Sequence, residues 1–412
     1  MASPSLVAAL KNLGSRLVLL LQYTVTRFMA MSDYSSGMSW LAPGLFLVGL
    51  LLSLPLTAAM IAVGHRLQAM DSQGFAGHLK TLRRVPNVGG VAIVAAFALP
   101  LLGGLLVLSG ALPVDLDRLW QGAGAHAQRL QEGQRFGWTL LGCTVWMLVA
   151  GAVDDRRAMG PGLKFALQAL PAIALAWFAD VRPLTLLDHQ GAWGVGVSVA
   201  LGVLWMLAIT NAMNFLDNMD GLAGGVGAVS ALLFMAGALA ARQWFIAALF
   251  ALLAGALLGF LCFNFRPRGG ARIFMGDGGS QPLGLLLSAL AVRCVFTDPA
   301  DPQYALGTHW YGVLTPVAVL AIPIYDLLAT SIVRIRQGRS PLVGDQQHLS
   351  HRLVERGFSK HGAVMAIWAL TAITGIGGVG LGSAPPWLAC LLLVQSLLAV
   401  AVLAWAEGIL KR

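Results

Sequence analysis

The sequence contains few charged residues. Aspartate, glutamate, lysine and arginine make up 11% of its 412 residues, whereas hydrophobic residues make up 57%. A soluble domain carries about 25% charged residues, so this composition excludes an ordinary soluble fold. The sequence also lacks the alternation of a membrane β-barrel and instead repeats apolar runs of about 20 residues, which suit transmembrane helices. The composition therefore predicts an all-α, polytopic integral membrane bundle.

Cysteine is scarce as well. The four cysteines are isolated in apolar surroundings, and none forms a C-x-x-C pair: Cys143, Cys262, Cys294 and Cys390. We interpret them as small buried side chains rather than metal ligands or redox centres. The net charge of +9 could indicate nucleic acid. In a membrane protein it more often reflects basic loops, so we expect membrane lipid, and no nucleic acid, as a partner.

About eleven apolar runs are predicted to span the membrane. They cover residues 41–63, 88–112, 137–153, 163–179, 192–212, 221–241, 243–264, 281–297, 311–333, 362–382 and 386–409. Residues 8–31 are also apolar, but Lys11, Arg16 and Arg27 favour an interfacial amphipathic helix over a span. The chain is thus divided into an N-terminal tail, 1–40, and a transmembrane domain, 41–412.

The predicted spans divide the loops between the two sides of the membrane. One side holds residues 64–87, 154–162, 213–220, 265–280, 334–361 and the C-terminus. These loops and their helix ends carry about two thirds of the 27 lysine and arginine residues. The positive-inside rule therefore places them in the cytoplasm. Every polar constellation described next falls on this side.

The segment VDDRRAMGPGLK ends a predicted span with two adjacent carboxylates, Asp154 and Asp155, and Lys164 follows nine residues after the second. Neighbouring carboxylates repel one another, so one can be held protonated or act as a base. Together they can also hold a divalent cation. A solvated helix end, with both acids paired to Arg156 and Arg157, is the alternative.

The segment NAMNFLDNMDG lies between two apolar runs and spaces its polar residues three apart: Asn211, Asn214, Asp217 and Asp220. At helical pitch, residues three apart share one face, so the last three could point into one cleft. Asp220 is also placed to cap the helix that follows. The alternative is a solvated row in which Asp220 is only a cap. We interpret Asn211, at the end of the preceding span, as structural.

The segment IFMGDGGSQPLG places Asp277 in a glycine turn. The three neighbouring glycines would let backbone N–H groups face a phosphate, and Asp277 could bind Mg²⁺. Ser280 is predicted to cap a helix that begins near Pro282, and Phe274 offers a face on which a base could stack. An ordinary tight turn is the alternative, since the pattern is not a Walker motif.

Residues 334–360 combine imidazoles with a guanidinium. Asp345 is predicted to cap a short helix that carries His348 and Arg352 on one face, with His351 beside them. These groups form a phosphate-binding surface. Zinc is a competing interpretation for two histidines three apart, but no cysteine or HExxH motif lies nearby. A plain cytoplasmic loop is the remaining alternative.

The loop HLKTLRRVPNVGG adds Arg83 and Arg84, which could attract an anionic substrate or anionic lipid. Taken together, carboxylates, glycine-turn amides, an aromatic face and basic groups suit a nucleotide linked through a pyrophosphate. Such a nucleotide would meet a lipid phosphate at the membrane edge. Phosphoryl transfer needs little beyond positioning and charge neutralisation, which these residue types supply.

The motifs VDDRR…LK, NAMNFLDNMDGLAGG, FMGDGGSQPLG and D-x-x-H-L-x-H-R-L, in this order, resemble those of the polyprenyl-phosphate N-acetylhexosamine-1-phosphate transferases over roughly residues 60–360. The resemblance implies transfer of a sugar 1-phosphate, most simply GlcNAc 1-phosphate, from a UDP-N-acetylhexosamine to undecaprenyl or another polyprenyl phosphate, with release of UMP. It implies Mg²⁺ as cofactor, with Mn²⁺ as a possible substitute. It also implies a bacterial inner membrane, an active site facing the cytoplasm, and a possible homodimer.

The resemblance also implies roles for individual residues. Asp154 would deprotonate the lipid phosphate, Asp155 would position that phosphate or the metal, and Asp277 would bind Mg²⁺. Phe274 would stack on uracil, and Lys164 matches the lysine that follows the acid pair. The positions close to the nucleotide and metal are Asn214, Asp217 and Asp220. The positions that hold phosphates or sugar are His348, His351 and Arg352, and Asp326 would support them.

Three segments depart from the family pattern and leave the sugar open. The histidine motif has Ser350 where a histidine is common, and the basic loop has Thr81 where a histidine and Arg84 where a proline is common. The row close to the nucleotide has Asn218 where the peptidoglycan branch often has glycine. A phospho-MurNAc-pentapeptide transferase is therefore the nearest alternative. A nucleotide-sugar or lipid transporter and a non-catalytic scaffold are the alternatives from other classes.

Overall fold

The computed structural model describes residues 40–70, 84–112, 127–295, 309–340 and 347–407, and these ranges contain no β-strand. Their α-helices are α1 Leu41–Arg66, α2 Gly89–Leu108, α3 Ala127–Arg156, α4 Pro161–Phe178, α5 Ala192–Leu216, α6 Leu222–Ala240, α7 Trp244–Asn264, α8 Asp277–Cys294, α9 Thr315–Val319, α10 Ala321–Arg336, α11 Leu349–Glu355, α12 Lys360–Val379 and α13 Pro386–Ala406. The predicted interfacial helix at 8–31, Arg83 and Asp345 lie outside the described residues.

Local sequence explains several helix starts. α4 and α13 each carry proline in the first turn, at Pro161 and Pro386, where the missing N–H would have no partner within the helix. Ser359 precedes α12, and its hydroxyl accepts the N–H of Gly362 at 3.0 Å. This side-chain cap satisfies one of the free N–H groups at the helix start.

The helical membrane fold predicted from composition is confirmed, but the count of eleven spans is not. In the described part of the chain, nine helices are long and apolar enough to cross a membrane. A tenth span results if Trp310–Val319 and Ala321–Arg336, bent by 66°, are counted as one. The predicted span 281–297 corresponds to α8, which is not among the nine because its first turn is polar.

Small residues allow the helices to pack closely. Gly49 and Ser53 of α1 face α7, and the Ser53 hydroxyl donates to the carbonyl of Ala256 at 2.6 Å. Close backbone approach of this kind is typical of membrane helices, which gain little from burying apolar side chains against each other. α7 therefore lies in the core, with 83% of the residues in its most apolar stretch buried, whereas α13 is peripheral, with 17% buried.

α8 lies at the centre of the bundle, against α3, α5 and α2. Two glycines permit this approach at its first turn. A methyl group added at Gly151 of α3 would overlap the backbone of Asp277, and one added at Gly90 of α2 would overlap Gly278 and Gly279. Glycine at these two positions therefore fixes the position of Asp277 relative to its neighbours.

The cysteines are only partly as predicted. Cys143 and Cys294 are buried, but Cys262 and Cys390 are exposed. The prediction is wrong for the second pair because they lie on the outward faces of α7 and α13. On such a face an apolar side chain meets lipid rather than protein, and sequence hydropathy does not separate the two environments.

Candidate functional site

The polar constellations meet at one end of the bundle. The C-terminal ends of α3 and α5, the N-terminal ends of α4 and α8, and the segment around α11 are joined there by side-chain hydrogen bonds. The sequence analysis had assigned the loops that contain these segments to one side of the membrane, and they do lie at one end of the bundle. The physical reason is that each span reverses the chain direction, so alternate loops return to the same end.

A lysine ammonium lies at the centre of the site. Lys164 Nζ contacts Asp154 Oδ2 at 3.0 Å and Asn214 Oδ1 at 3.1 Å, and it forms a short ion pair with Asp277 Oδ2. Asn214 Nδ2 also donates to Asp277 Oδ1 at 2.8 Å. Four residues that the sequence assigned to the site, from four different helices, therefore form one charged cluster, the lysine cluster.

Asp155 points away from the lysine cluster and caps α8. Its carboxylate accepts the N–H groups of Asp277 at 2.9 Å and Gly278 at 3.0 Å, and Asn87 Nδ2 donates to it at 2.9 Å. Gly276, with φ +69°, makes the turn that brings these amides forward. The prediction that the glycine-turn amides face a phosphate is wrong for these two, because a carboxylate of the protein already occupies them.

Asn214 connects the lysine cluster to the first turn of α8. Its Nδ2 lies 2.8 Å from Ser280 Oγ, and the Ser280 hydroxyl donates to the carbonyl of Gly276 at 3.0 Å. The prediction that Ser280 caps a later helix is wrong, because α8 already begins at Asp277. Ser280 instead helps to hold Asn214 in place.

Asn211 has structural partners. Its Nδ2 donates to Gln168 Oε1 and to the carbonyl of Leu207, both at 2.8 Å, and Gln168 in turn donates to Gln281 Oε1 at 3.2 Å. These buried amides join α4, α5 and α8 one turn deeper than the lysine cluster. The contacts agree with the interpretation of Asn211 as structural.

Asp220 is not the cap of α6. Gly221 occupies the cap position, with φ +82°, and no side chain caps this helix. Asp220 Oδ2 instead accepts the N–H of Ala271 at 2.9 Å, and the Gly221 N–H donates to Asn264 Oδ1 at 2.7 Å. The carboxylate that the sequence predicted as a cap of α6 therefore binds the loop after α7 instead. Asp217 follows α5 directly and is half-buried.

The histidine segment packs against the end of α5. Ser350 Oγ donates to Asn218 Oδ1 at 2.6 Å, and the rings of Phe215 and His348 lie 5.4 Å apart. Neither Phe215 nor Asn218 was predicted as a site residue. Their position between Asn214 and the predicted acids is the only sequence signal that could have found them.

His348 is buried against an aspartate. Its Nδ1 lies 2.9 Å from Asp326 Oδ2, and Arg334 Nη2 lies 3.4 Å from its Nε2. Because a carboxylate oxygen accepts, Nδ1 is the donor in the bond to Asp326. Asp326 Oδ1 also accepts the N–H of Leu349 at 2.6 Å, which fixes the start of α11.

Arg352 is turned inward. It is 7% exposed, lies 3.1 Å from Glu407 Oε2 and 3.6 Å from Asp326 Oδ1, and donates to the carbonyl of Gln347. It is thus buried among protein groups rather than presented to a phosphate. Burial lowers the pKa of neighbouring His351, which favours its neutral form. Burial raises the pKa of Glu407, against the opposing effect of Arg352.

The remaining predicted residues lie beside the site without a described contact to the lysine cluster. Phe274 is half-buried, and its backbone bonds to Pro86 at 2.8 Å and Gly89 at 2.9 Å. Arg84 is exposed in the segment before α2. Asn87, from the same segment, donates to Asp155 and was not predicted, because a single amide in a loop has no distinctive spacing or charge.

The lysine cluster contains the oxygen ligands that a hard divalent cation prefers. Asp154, Asp277 and the amide of Asn214 each turn an oxygen toward Lys164 Nζ, so the ammonium occupies the position of a bound cation. No group of three His, Cys, Asp or Glu side chains surrounds one metal position in the described ranges. Mg²⁺ usually takes only one or two carboxylates and completes its shell with water and substrate phosphates, so these residues fit it.

Comparison with known proteins agrees with this geometry. The model of glycosyl transferase family 4 matches residues 138–295, which include the whole lysine cluster and Asp155. Over this segment the chain is similar to glycosyl transferase family 4. The histidine segment lies beyond the matched residues.

The chain is also similar to curated proteins whose names resemble one another. It is 36% identical over 241 residues to the decaprenyl-phosphate N-acetylglucosaminephosphotransferase of Mycolicibacterium smegmatis, covering 54% of this chain and 57% of the relative. It is 27% identical over 316 residues to a probable undecaprenyl-phosphate N-acetylglucosaminyl 1-phosphate transferase of Bacillus subtilis, covering 76% and 82%. Most of the similar relatives are thus matched over little more than half of their length.

Proposed function

We propose that the protein transfers N-acetylglucosamine 1-phosphate from UDP-GlcNAc to a polyprenyl phosphate such as undecaprenyl phosphate, with release of UMP. The lysine cluster is the observation that carries the proposal: one ammonium among two carboxylates and an amide at a membrane-bundle end. The names of the relatives, which specify GlcNAc and a polyprenyl phosphate, support this choice of substrates over UDP-MurNAc-pentapeptide.

In the reaction, an oxygen of the lipid phosphate attacks the phosphorus attached to the sugar, and the bond from that phosphorus to UMP breaks. The protein needs to remove a proton from the acceptor and to offset the negative charge of three phosphates. The ammonium of Lys164 supplies positive charge at the cluster. The attacking and leaving oxygens lie roughly in line, so much of the catalysis is positioning.

The contacts of the two adjacent acids support different roles for them. Asp155 is engaged through both oxygens with the first turn of α8, and so it positions Asp277. Asp154 belongs to the lysine cluster, where Met159 N–H donates to its Oδ1 at 2.6 Å. We therefore assign the proton-accepting role to Asp154. Asp155 holds the glycine turn against α3.

Asp277 and Asp154 are the residues that would hold Mg²⁺, with Mn²⁺ as a substitute. A bound divalent cation would supply charge neutralisation at the phosphates. Lys164 would then pair with phosphate oxygens, because the same two carboxylates would serve both positive charges. Asn214 keeps Asp277 in place through the amide bond to its second oxygen.

We place the active site at the cytoplasmic face of a bacterial inner membrane, because the basic loops lie at that end of the chain's predicted topology. UDP-sugars are made in the cytoplasm, which suits this side. A homodimer is part of the proposal on family grounds alone. The product would be the first lipid-linked intermediate of a cell-envelope polysaccharide.

The test is a panel of UDP-sugars supplied to the purified protein with polyprenyl phosphate and Mg²⁺, with the lipid product identified by mass spectrometry. We expect UMP and a lipid-linked GlcNAc pyrophosphate, and loss of both with EDTA. Preference for UDP-MurNAc-pentapeptide would reassign the substrate. Flux of an unmodified nucleotide sugar across liposomes without UMP would instead indicate a transporter.

A further inference from the structure

The last described residue, Glu407, is buried at the same end of the bundle as the site. It follows α13 directly and is 2% exposed. Tyr325 of α10 donates its hydroxyl to Glu407 Oε2 at 2.5 Å, and Arg352 of α11 lies 3.1 Å from the same oxygen. Arg356 donates to the Glu407 backbone carbonyl. One residue thus joins three helices.

These contacts continue to the histidine segment. Arg352, held by Glu407 on one side, lies 3.6 Å from Asp326 Oδ1 on the other. The second oxygen of Asp326 lies 2.9 Å from His348 Nδ1. His348 lies in turn against Phe215, at the end of the helix that carries Asn214. Polar contacts from Glu407 to His348, followed by the ring contact of His348 with Phe215, therefore link the end of α13 to the end of the helix that carries Asn214.

The position of Glu407 is unusual for a peripheral helix. Only 17% of the residues in the most apolar stretch of α13 are buried, and this helix contains no charged residue before Glu407. A buried carboxylate is costly unless it is paired and hydrogen-bonded, and an apolar residue would close a helix end without this cost. We therefore infer that the pairing with Arg352 and Tyr325 serves to orient α11 and α10 rather than to anchor α13.

We propose that Glu407 is a positioning residue that orients His348 and the start of α11 toward the site through Arg352 and Asp326. The readout by activity rests on the proposed function, whereas the readout by amide exchange does not. Without Glu407, Arg352 loses its contact with the end of α13 and keeps those with Asp326, Thr330 and Gln347, and α11 can rotate away from Phe215. The histidine segment then spends less time in the arrangement that faces the substrate.

The experiment compares Glu407→Gln with wild type and with Ser396→Ala, using the full chain in nanodiscs. Ser396 is a matched control because it is a buried polar residue of α13 that bonds to Leu392 O at 3.1 Å, remote from the site end. For Glu407→Gln we expect kcat about tenfold lower with an unchanged KM for UDP-GlcNAc, and faster hydrogen exchange confined to residues 347–356. We expect Ser396→Ala to match wild type in all three measurements.

A second pair of variants keeps the inference falsifiable if Glu407→Gln folds poorly. Tyr325→Phe removes one of the two bonds to Glu407 Oε2, and we expect a smaller change in the same measurements. Arg352→Gln combined with Glu407→Gln should match Arg352→Gln alone, because the two residues act in series. Additive losses, or unchanged exchange at 347–356 in Glu407→Gln and Tyr325→Phe, would overturn the proposal. A wild-type protein without transferase activity would refute the proposed function and leave the exchange result decisive.

Discussion

The ammonium of Lys164 lies between the carboxylates of Asp154 and Asp277, 3.0 Å from the first and in a short ion pair with the second. These acids come from α3 and α8, and the lysine from α4. Two carboxylates this close would repel one another without a shared cation. The arrangement explains how a membrane protein with few charged residues keeps three of them together at the end of its bundle.

Replacement of Lys164 by Met should abolish most of the activity. The variant keeps the aliphatic stem but removes the charge that offsets the phosphates and separates the carboxylates. Loss of one preorganised electrostatic group typically lowers kcat by about 10²–10³-fold. Initial-rate measurements at saturating UDP-GlcNAc test this, with Lys164→Arg as the variant that keeps the charge. Wild-type turnover in Lys164→Met would show that the ammonium has no part in the chemistry.

The same substitution should change the response to divalent cations. If Mg²⁺ and the ammonium share Asp154 and Asp277, removal of the ammonium leaves two carboxylates that bind the cation more readily. We expect Mn²⁺, followed by electron paramagnetic resonance, to bind more tightly to Lys164→Met than to wild type. Asp277→Asn in the same background should weaken this binding. Equal Mn²⁺ affinity in wild type and Lys164→Met would contradict a shared site.

Asp154 and Asp155 should respond differently to the change from Asp to Asn. Asp155→Asn weakens the cap on α8, which should cost about 1–2 kcal/mol and lower the melting temperature. Asp154→Asn leaves the cap intact and should lower kcat with a much smaller effect on stability. Thermal unfolding in detergent and steady-state kinetics, measured on both variants, test whether Asp155 acts on stability and Asp154 on turnover. The reverse pattern would exchange the roles assigned to the two acids.

Gly151 and Gly142 form a matched pair on α3. A methyl group at Gly151 overlaps the backbone of Asp277, whereas one at Gly142 meets no atom within 4 Å. Gly151→Ala should therefore displace the first turn of α8 and lower activity at least tenfold. Gly142→Ala should keep activity and gain roughly 0.5–1 kcal/mol of helix stability. Similar activity in the two variants would mean that the position of Asp277 is not held by this contact.

Sequence patterns predicted much of this structure, for physical reasons. Apolar run length identifies membrane helices, and strict alternation of direction brings Asp154, Asn214 and Asp277 to the same end. Polar residues in an apolar chain are then few enough to be recognised as a group. The lysine cluster was predictable at this level, although the bonds within it were not.

Long-range pairing was not predictable from local sequence. Asp220 reads as a helix cap, yet it accepts the N–H of Ala271, 51 residues away in the chain. Asp155 pairs with Asn87 at a separation of 68 residues, and Glu407 follows a helix that contains no charged residue. The polar first turn of α8 likewise hid the start of this helix, which begins at Asp277 whereas the predicted span begins at residue 281. In each case tertiary packing, rather than local propensity, decides the partner.

The most direct test of the account follows the phosphorus atoms of the donor. Purified protein is incubated with polyprenyl phosphate, Mg²⁺ and UDP-GlcNAc labelled with ³²P at the phosphorus attached to the sugar. The account predicts that the label moves into the lipid fraction while unlabelled UMP is released, and that Asp277→Asn prevents both. Label recovered in free UDP, with sugar alone on the lipid, would contradict it.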